Sequence, residues 1–237
     1  MTDMVHRLGL SRSLVFHDVY SLTEPSLLSF LPRPASALLL VFPVTDRYEK
    51  FRREEDSTRE EYQASGDDEE VVWFKQTIKN ACGLIGLLHS VCNGDARRQI
   101  EKGSDLDRLL GEATPLKPAD RAELLYKNQA LESAHADAAN KGDTAAPGAA
   151  THVDLHFVAF VKSEQGNLWE LDGRRKGPLN RGKLGPDEDV LSEKGQELGV
   201  GAFLAREQQS APEAGGDGSN EPTELRFSVV MLGPTFD

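Results

Sequence analysis

The chain reads as a single α+β domain, and three stretches of its sequence predict that class. Residues 82–92 place Leu84, Ile85, Leu87, Leu88 and Val91 at helical spacing behind Cys82. Residues 154–161 and 168–172 are rich in β-formers and flank Lys162-Ser-Glu-Gln-Gly-Asn167, a run of turn composition, so they predict an antiparallel hairpin with residues 163–167 as its loop. Residues 37–42 form a short, continuous apolar run, as expected of a strand buried on both faces.

The remaining elements follow in order. Residues 4–10 read as the end of a helix, and residues 16–20 as an entry segment. Residues 45–56 predict a helix and residues 57–70 a mobile charged loop. Helices are expected over 105–110 and 118–139, the second opened by Pro118 with Asp120 and Glu123 behind it. Residues 136–152 are dominated by Ala, Gly and Asp and read as a loop. Pro186-Asp-Glu-Asp189 opens a helix running to about residue 207, weakened by Gly195, Gly199 and Gly201. Residues 210–222 read as a flexible loop and residues 225–232 as a final, central strand. The chain has no internal repeats.

Composition bounds the function. The 237 residues are 38% hydrophobic with 21 Gly, ordinary for a globular protein. The strongest apolar run, residues 35–44, contains Pro43 and falls far short of the ~20 residues that span a bilayer. His6 and Arg7 interrupt any apolar signal region at the start. Two cysteines argue for a reducing compartment and no structural disulfide, with Cys92 a buried residue at a helix end. His89 and Cys92 have no second pair at ligand spacing, so neither metal nor cofactor is expected.

A net charge of −12 argues against a nucleic-acid partner. Residues 49–70 hold ten acids against four bases, a run that reads as a solvated face or as a field steering a basic partner. Arg174, Arg175, Lys176, Arg181 and Lys183 read as an exposed basic loop.

The chemistry concentrates on four residues. Cys82 at a helix N-terminus faces unpaired backbone N–H groups and the positive end of the dipole, an environment that stabilises a thiolate. Gln76, six residues upstream, offers an amide N–H₂ to a developing oxyanion. Pairing Lys162 with Leu168 sets His156 opposite Arg174 and makes Asp172 the diagonal neighbour of His156 on the same face. Diagonal neighbours lie ~7–8 Å apart at the backbone, a gap that imidazole and carboxylate can close. Asp172 would orient one ring nitrogen and leave the other for Cys82. Singly, Cys82 reads as packing, His156 as a core histidine and Asp172 as a turn residue. Jointly they read as a thiol acyl-transfer site, and bringing Cys82 to His156 across the chain favours one domain. His89 points elsewhere on its helix, His152 lies near a Gly/Ala-rich loop, and His6, His17 and His135 have no evident partner.

These residues carry a resemblance. KQTIKNACGLIGLLH (residues 75–89), LHFVAF (155–160) and LWELDGR (168–174) resemble the ubiquitin C-terminal hydrolases, papain-like cysteine peptidases. The similarity runs from Arg7-Leu-Gly-Leu through residues 38–43 to residues 225–230. It implies a central antiparallel sheet flanked by helices, with a knotted backbone. It implies that Cys82 is the nucleophile and His156 the general base and later proton donor. Asp172 would orient His156, and Gln76 would join the backbone N–H of Cys82 in an oxyanion hole. The loop over residues 136–152 would arch over the site and limit leaving groups to small adducts or unfolded peptides.

Two departures stand out. The family pattern carries a further turn and strand with a Pro-Leu-Glu type motif before Arg7, whereas this chain starts at Met1, as a shortened form would. Leu84 stands where threonine commonly follows the Cys-Gly pair, a change expected to alter packing rather than chemistry. The expected protein is a monomeric hydrolase of the cytoplasm, or of cytoplasm and nucleus, acting at the C-terminal glycine of ubiquitin. Its rivals are a ubiquitin-binding protein with little hydrolysis and a hydrolase for a ubiquitin-like modifier.

Overall fold

The computed structural model of the protein describes residues 1–78, 80–140, 155–209 and 227–236. The chain runs through α1 (Thr2–Leu8), β1 (Leu14–Val19), α2 (Pro25–Leu28), β2 (Ala37–Pro43), α3 (Asp46–Ser57), α4 (Cys82–Val91) and α5 (Gly94–Arg97). It continues with α6 (Asp105–Ala113), α7 (Pro118–Lys127), α8 (Gln129–Asn140), β3 (Leu155–Lys162) and β4 (Asn167–Leu171). It closes with β5 (Leu179–Lys183), α9 (Glu193–Leu198), α10 (Val200–Gln209) and β6 (Ser228–Pro234).

The six strands form one antiparallel sheet in the order β1-β6-β2-β3-β4-β5. Its two faces carry separate apolar layers, because alternate residues of a strand point to opposite sides. Ala37, Leu39, Ala159, Val161 and Leu171 pack with Ile85 and Leu88 of α4. Leu38, Leu40, Phe42, Val158 and Phe160 pack on the other face with Tyr48 of α3 and Phe203 of α10. A fully buried Leu, Val or Phe contributes about 1.5–3 kcal/mol. The continuous apolar run of β2 is therefore what glues both layers to the sheet. Gly86 lets α4 approach closely: a Cβ there would meet Leu39 Cδ1 at 2.8 Å and Phe157 Cβ at 3.2 Å.

The hairpin register matches the sequence expectation, with Lys162 opposite Leu168 and Ala159 opposite Leu171. The ladder ends there, so His156 does not stand opposite Arg174. Asp172 turns the chain instead, its Oδ1 accepting from Arg174 N at 2.9 Å. β6 lies between β1 and β2, an interior strand as expected.

Several expectations need correction. α1 begins at Thr2 and closes at Gly9, whose φ of 108° is left-handed. The helix expected over 118–139 is two helices. Asn128 adopts an extended ψ of 102°, and its Oδ1 accepts from Leu131 N at 3.0 Å to start α8. The helix expected from Pro186 begins only at Glu193, with Ser192 as its cap. Asp189 is committed elsewhere, bonding Arg33 and accepting from Ala35 N at 2.8 Å. Gly199 then separates α9 from α10. The polar edge strand β5 and the short helices α2 and α5 were not foreseen.

The charged segment 57–70 is tethered rather than mobile. Tyr62 N donates to Lys176 O and Gly66 N to Thr114 O, each at 2.8 Å. Glu69 pairs with the buried Arg121, and Glu70 accepts from Asn167 Nδ2 at 2.7 Å. The basic cluster is not an exposed loop either. Arg175 is buried against Glu55, Asp56 and Glu170, and Arg181 bonds Glu55 and Glu170. Glu49, Glu55 and Asp56 of the acidic run are thus paired with the basic cluster, while Glu54, Glu60, Glu61, Asp67 and Asp68 remain exposed.

His6 and His17 do have partners, each ring Nε2 lying 2.7 Å from a backbone carbonyl, of Leu14 and Pro234 respectively. The loop expected over residues 136–152 starts later, since α8 runs to Asn140. The rest of it, residues 210–222, the side chains of His135 and His152, and with the loops the threading that decides a knot, lie outside the described residues.

Candidate active site

The site forms where the two layers meet, at the end of β3. α4 lies on one face of the sheet and brings Cys82 to its own first turn. Asn80, with a φ of 60°, turns the chain into that helix. Ala81 at the N-cap offers no side-chain acceptor, so helix geometry leaves the N–H groups of Cys82, Gly83 and Leu84 for other partners. Leu84 packs partly buried on the α4 side of the core, consistent with a change of packing there.

His156 sits on the opposite face of β3, across from Phe42 of β2, with their ring centroids 5.7 Å apart. Its Nε2 lies 2.8 Å from Asp172 Oδ1. Cys82 is near enough to act on the imidazole electrostatically. The Cys82 sulfur crosses the strand end, 3.6 Å from the carbonyl oxygen of Leu155. Sulfur, imidazole and carboxylate, drawn from three distant parts of the sequence, thus converge in one place.

Electrostatics fix the protonation pattern. Burial alone would push the His156 pKa down, but the charge and hydrogen bond of Asp172, with Cys82 adding to them, raise it to about 9. Asp172 is fully buried, which raises its pKa, yet the His156 charge, bonds from His156 and Tyr48, and the Arg174 N–H hold it well below the usual carboxylate range. At neutral pH the pair is imidazolium and carboxylate, with Nε2–H donating to Oδ1 and Nδ1 left to the sulfur.

Gln76 reaches the site on a strap, residues 71–76, that is bonded on both sides. Asn93 Oδ1 accepts from Val72 N at 2.7 Å, and His89 Nε2 accepts from Phe74 N at 2.9 Å. On the other side Trp73 Nε1 donates to Asp172 O at 3.1 Å, and Gln76 N donates to Gly173 O at 2.8 Å. Gly173 eases this close approach, since a Cβ would meet Gln76 N at 3.1 Å and Ile85 Cγ2 at 3.0 Å. The Gln76 amide donates to Ile78 O at 3.1 Å, and its Oε1 is buried without a hydrogen-bond partner among the described residues. The structure therefore brings Cys82, His156 and Asp172 together, and ties Gln76 to the turn after Asp172 with its amide bonded within its own loop.

Sequence reasoning missed the supports. His89 is a neutral anchor for the strap, its pKa lowered to about 4 by burial. Tyr48 donates its phenolic hydrogen to Asp172 Oδ2, and the one local signal near it is Thr45, which caps α3 by accepting from Tyr48 N at 3.0 Å. Cys92 is fully buried and its pKa is pushed up to about 12, an inert thiol.

Comparison with known proteins agrees with this geometry. Residues 1–198 match the family model described as ubiquitin carboxyl-terminal hydrolase, family 1. The chain is 36% identical over 241 residues to ubiquitin carboxyl-terminal hydrolase YUH1 of Saccharomyces cerevisiae, covering 100% of this chain and 92% of that protein. It is 37% identical over 232 residues to isozyme L1 of Sus scrofa, covering 98% and 93%. In fold it resembles the catalytic domain of Trichinella spiralis UCH37 solved with ubiquitin vinyl methyl ester, with a TM-score of 0.69, 19% identity, and 99% and 91% coverage. The chain belongs to the family 1 ubiquitin carboxyl-terminal hydrolases.

Proposed function

We propose that this chain is a thiol-dependent ubiquitinyl hydrolase that removes small adducts or peptides from the C-terminal glycine of ubiquitin. The observation that carries the reading is the contact of Cys82 with an imidazole that Asp172 holds protonated. Support for ubiquitin comes from the relatives, named as ubiquitin hydrolases, and from a solved neighbour bound to a ubiquitin ester.

In the reaction, the Cys82 thiolate attacks the carbonyl carbon of the terminal glycine. The oxyanion that forms is stabilised by the backbone N–H of Cys82 and by the Gln76 amide, once that amide rotates away from Ile78 O. His156 delivers its proton to the leaving amine, the C–N bond breaks, and a thioester joins Cys82 to ubiquitin. Neutral His156 then takes a proton from water, hydroxide adds to the thioester, and the thiolate leaves beside a restored imidazolium. Asp172 stays ionised throughout and holds the ring in one tautomer.

The reading extends to a monomer without nucleic-acid partners in a reducing compartment, the cytoplasm or the nucleus. The net charge of −12 and the two free cysteines support it. Hydrolysis of a fluorogenic ubiquitin C-terminal amide tests the activity. The unmutated chain turns over and Cys82→Ala does not, while Cys82→Ala still binds ubiquitin. Turnover retained by Cys82→Ala, or none by the unmutated chain, rejects the assignment. A ubiquitin-like protein preferred over ubiquitin in the same assay would replace the substrate only.

A further inference from the structure

We infer that Tyr48 is a positioning residue of the catalytic site, one that decides which carboxylate oxygen of Asp172 faces His156. The inference rests on the hydrolase reading above and assigns a function to a residue outside the nucleophile, base and acid.

Asp172 is fully buried, so each of its oxygens needs a partner. Oδ1 accepts from His156 Nε2 at 2.8 Å and from Arg174 N at 2.9 Å. Oδ2 accepts from the Tyr48 hydroxyl. A second claimant waits on the same side. Arg175 Nε is buried 4.0 Å from Oδ2 and 3.2 Å from Glu170 Oε1, an ion pair that falls short of hydrogen-bond geometry. An arginine fork binds a carboxylate through two N–H groups when it can. Rotating Asp172 toward Arg175 would give that Nε a hydrogen-bond acceptor beside its Glu170 ion pair and turn Oδ1 away from the imidazole. The Tyr48 hydroxyl prevents this by holding Oδ2.

Tyr48 is built to hold still. It is fully buried in the first turn of α3, where Thr45 caps the helix through its backbone N–H. Its ring meets Phe42 edge-on at 4.9 Å and lies against Phe203 at 6.1 Å. The ring is also 5.7 Å from that of His156, so one side chain braces the carboxylate and flanks the imidazole it serves. α3 thereby contributes to a site whose reacting groups come from other elements.

The test is a double-mutant cycle read in kcat, KM and thermal midpoint on the full chain. Tyr48→Phe keeps the ring and deletes only the donor. It is expected to lower kcat about tenfold, the worth of one hydrogen bond to a charged group, with KM for the ubiquitin substrate unchanged. In an Asp172→Asn background the same substitution is expected to cost nothing further, because its effect passes through the carboxylate. An equal loss in both backgrounds would make Tyr48 merely structural and overturn the assignment, as would unchanged kcat in Tyr48→Phe. A thermal midpoint that falls together with kcat in both backgrounds has the same meaning. Should the unmutated chain itself show no hydrolysis, the hydrolase reading falls and this assignment with it. An active chain indifferent to Tyr48→Phe removes the assignment alone.

Discussion

At the scale of single residues, the site is a contest between burial and pairing. Burial penalises both the imidazolium of His156 and the carboxylate of Asp172, yet each ion is the other's compensation. The pair survives as ions because extra donors, Tyr48 and the Arg174 N–H, satisfy the carboxylate. Since the His156 pKa is raised to about 9, the imidazolium is present at neutral pH and is lost as pH rises through that value. Hydrolysis should therefore decline on an alkaline limb near pH 9. Asp172→Asn removes the raising influence and leaves burial, which lowers. That limb should move to lower pH and kcat should fall ~10²-fold or more. A pH–rate profile that keeps its alkaline limb in Asp172→Asn would show that His156 is not the titrating group.

At the scale of elements, the site depends on how closely α4, the strap 71–76 and the hairpin turn approach one another. Gly173→Ala would push a methyl group to 3.1 Å from Gln76 N and 3.0 Å from Ile85 Cγ2, forcing strap and helix apart. Overpacking of that kind costs typically ~1–3 kcal/mol. The expected outcome is a lower thermal midpoint together with a lower kcat, and unchanged kcat would show that the contact is not critical. Elements whose pattern is local were legible in the sequence. The helix after Cys82, the two-sided strand at residues 37–42 and the hairpin register all follow from periodicity and turn composition. Cys82, His156 and Asp172 stood out by residue type and spacing, but the ladder stops at Ala159 and Leu171, and the turn at Asp172, not a continued register, brings carboxylate to imidazole. What was not legible depends on tertiary partners. Asp189 looks like a helix start but bonds Arg33, and Asn128 ends one helix to cap the next. Leu179–Lys183 is a strand only because β4 offers it an edge. Gln76 was placed beside the sulfur by motif, whereas its amide rotamer is set by Ile78 O.

At the scale of the whole molecule, the acidic segment of α3 and the basic turn after Asp172 form one buried lattice. Glu49 bonds Arg52 and pairs with Arg174, while Arg175 and Arg181 share Glu55 and Glu170. The lattice clamps the turn that carries Asp172 onto α3. Arg175→Leu would strand Glu55, Asp56 and Glu170 near one another. Breaking such a buried set typically costs ~3–5 kcal/mol, so thermal unfolding should shift markedly downward. A midpoint unchanged from the parent would mean the lattice adds nothing to stability. The pH dependence of stability has two signs. For Glu49 and Glu55 burial raises the pKa, but hydrogen bonds and charges from their arginine partners win and lower it. With Asp172 they contribute stability that is present above the ordinary carboxylate range and lost as pH falls through their folded values. His156 contributes stability that is complete below its ordinary value of 6.5 and lost as pH rises through about 9. His89, its pKa lowered to about 4, contributes stability that is complete above 6.5 and lost as pH falls toward 4, so thermal midpoints should peak near neutral pH and decline toward both ends.

The most direct measurement is covalent capture by a ubiquitin carrying a vinyl methyl ester at its C-terminus, with the modified peptide located by mass spectrometry. One ubiquitin should attach per chain, at Cys82, and the adduct should vanish in Cys82→Ala while persisting in Cys92→Ala. Attachment at Cys92, or no adduct while the protein remains folded, would contradict a reactive sulfur poised beside His156.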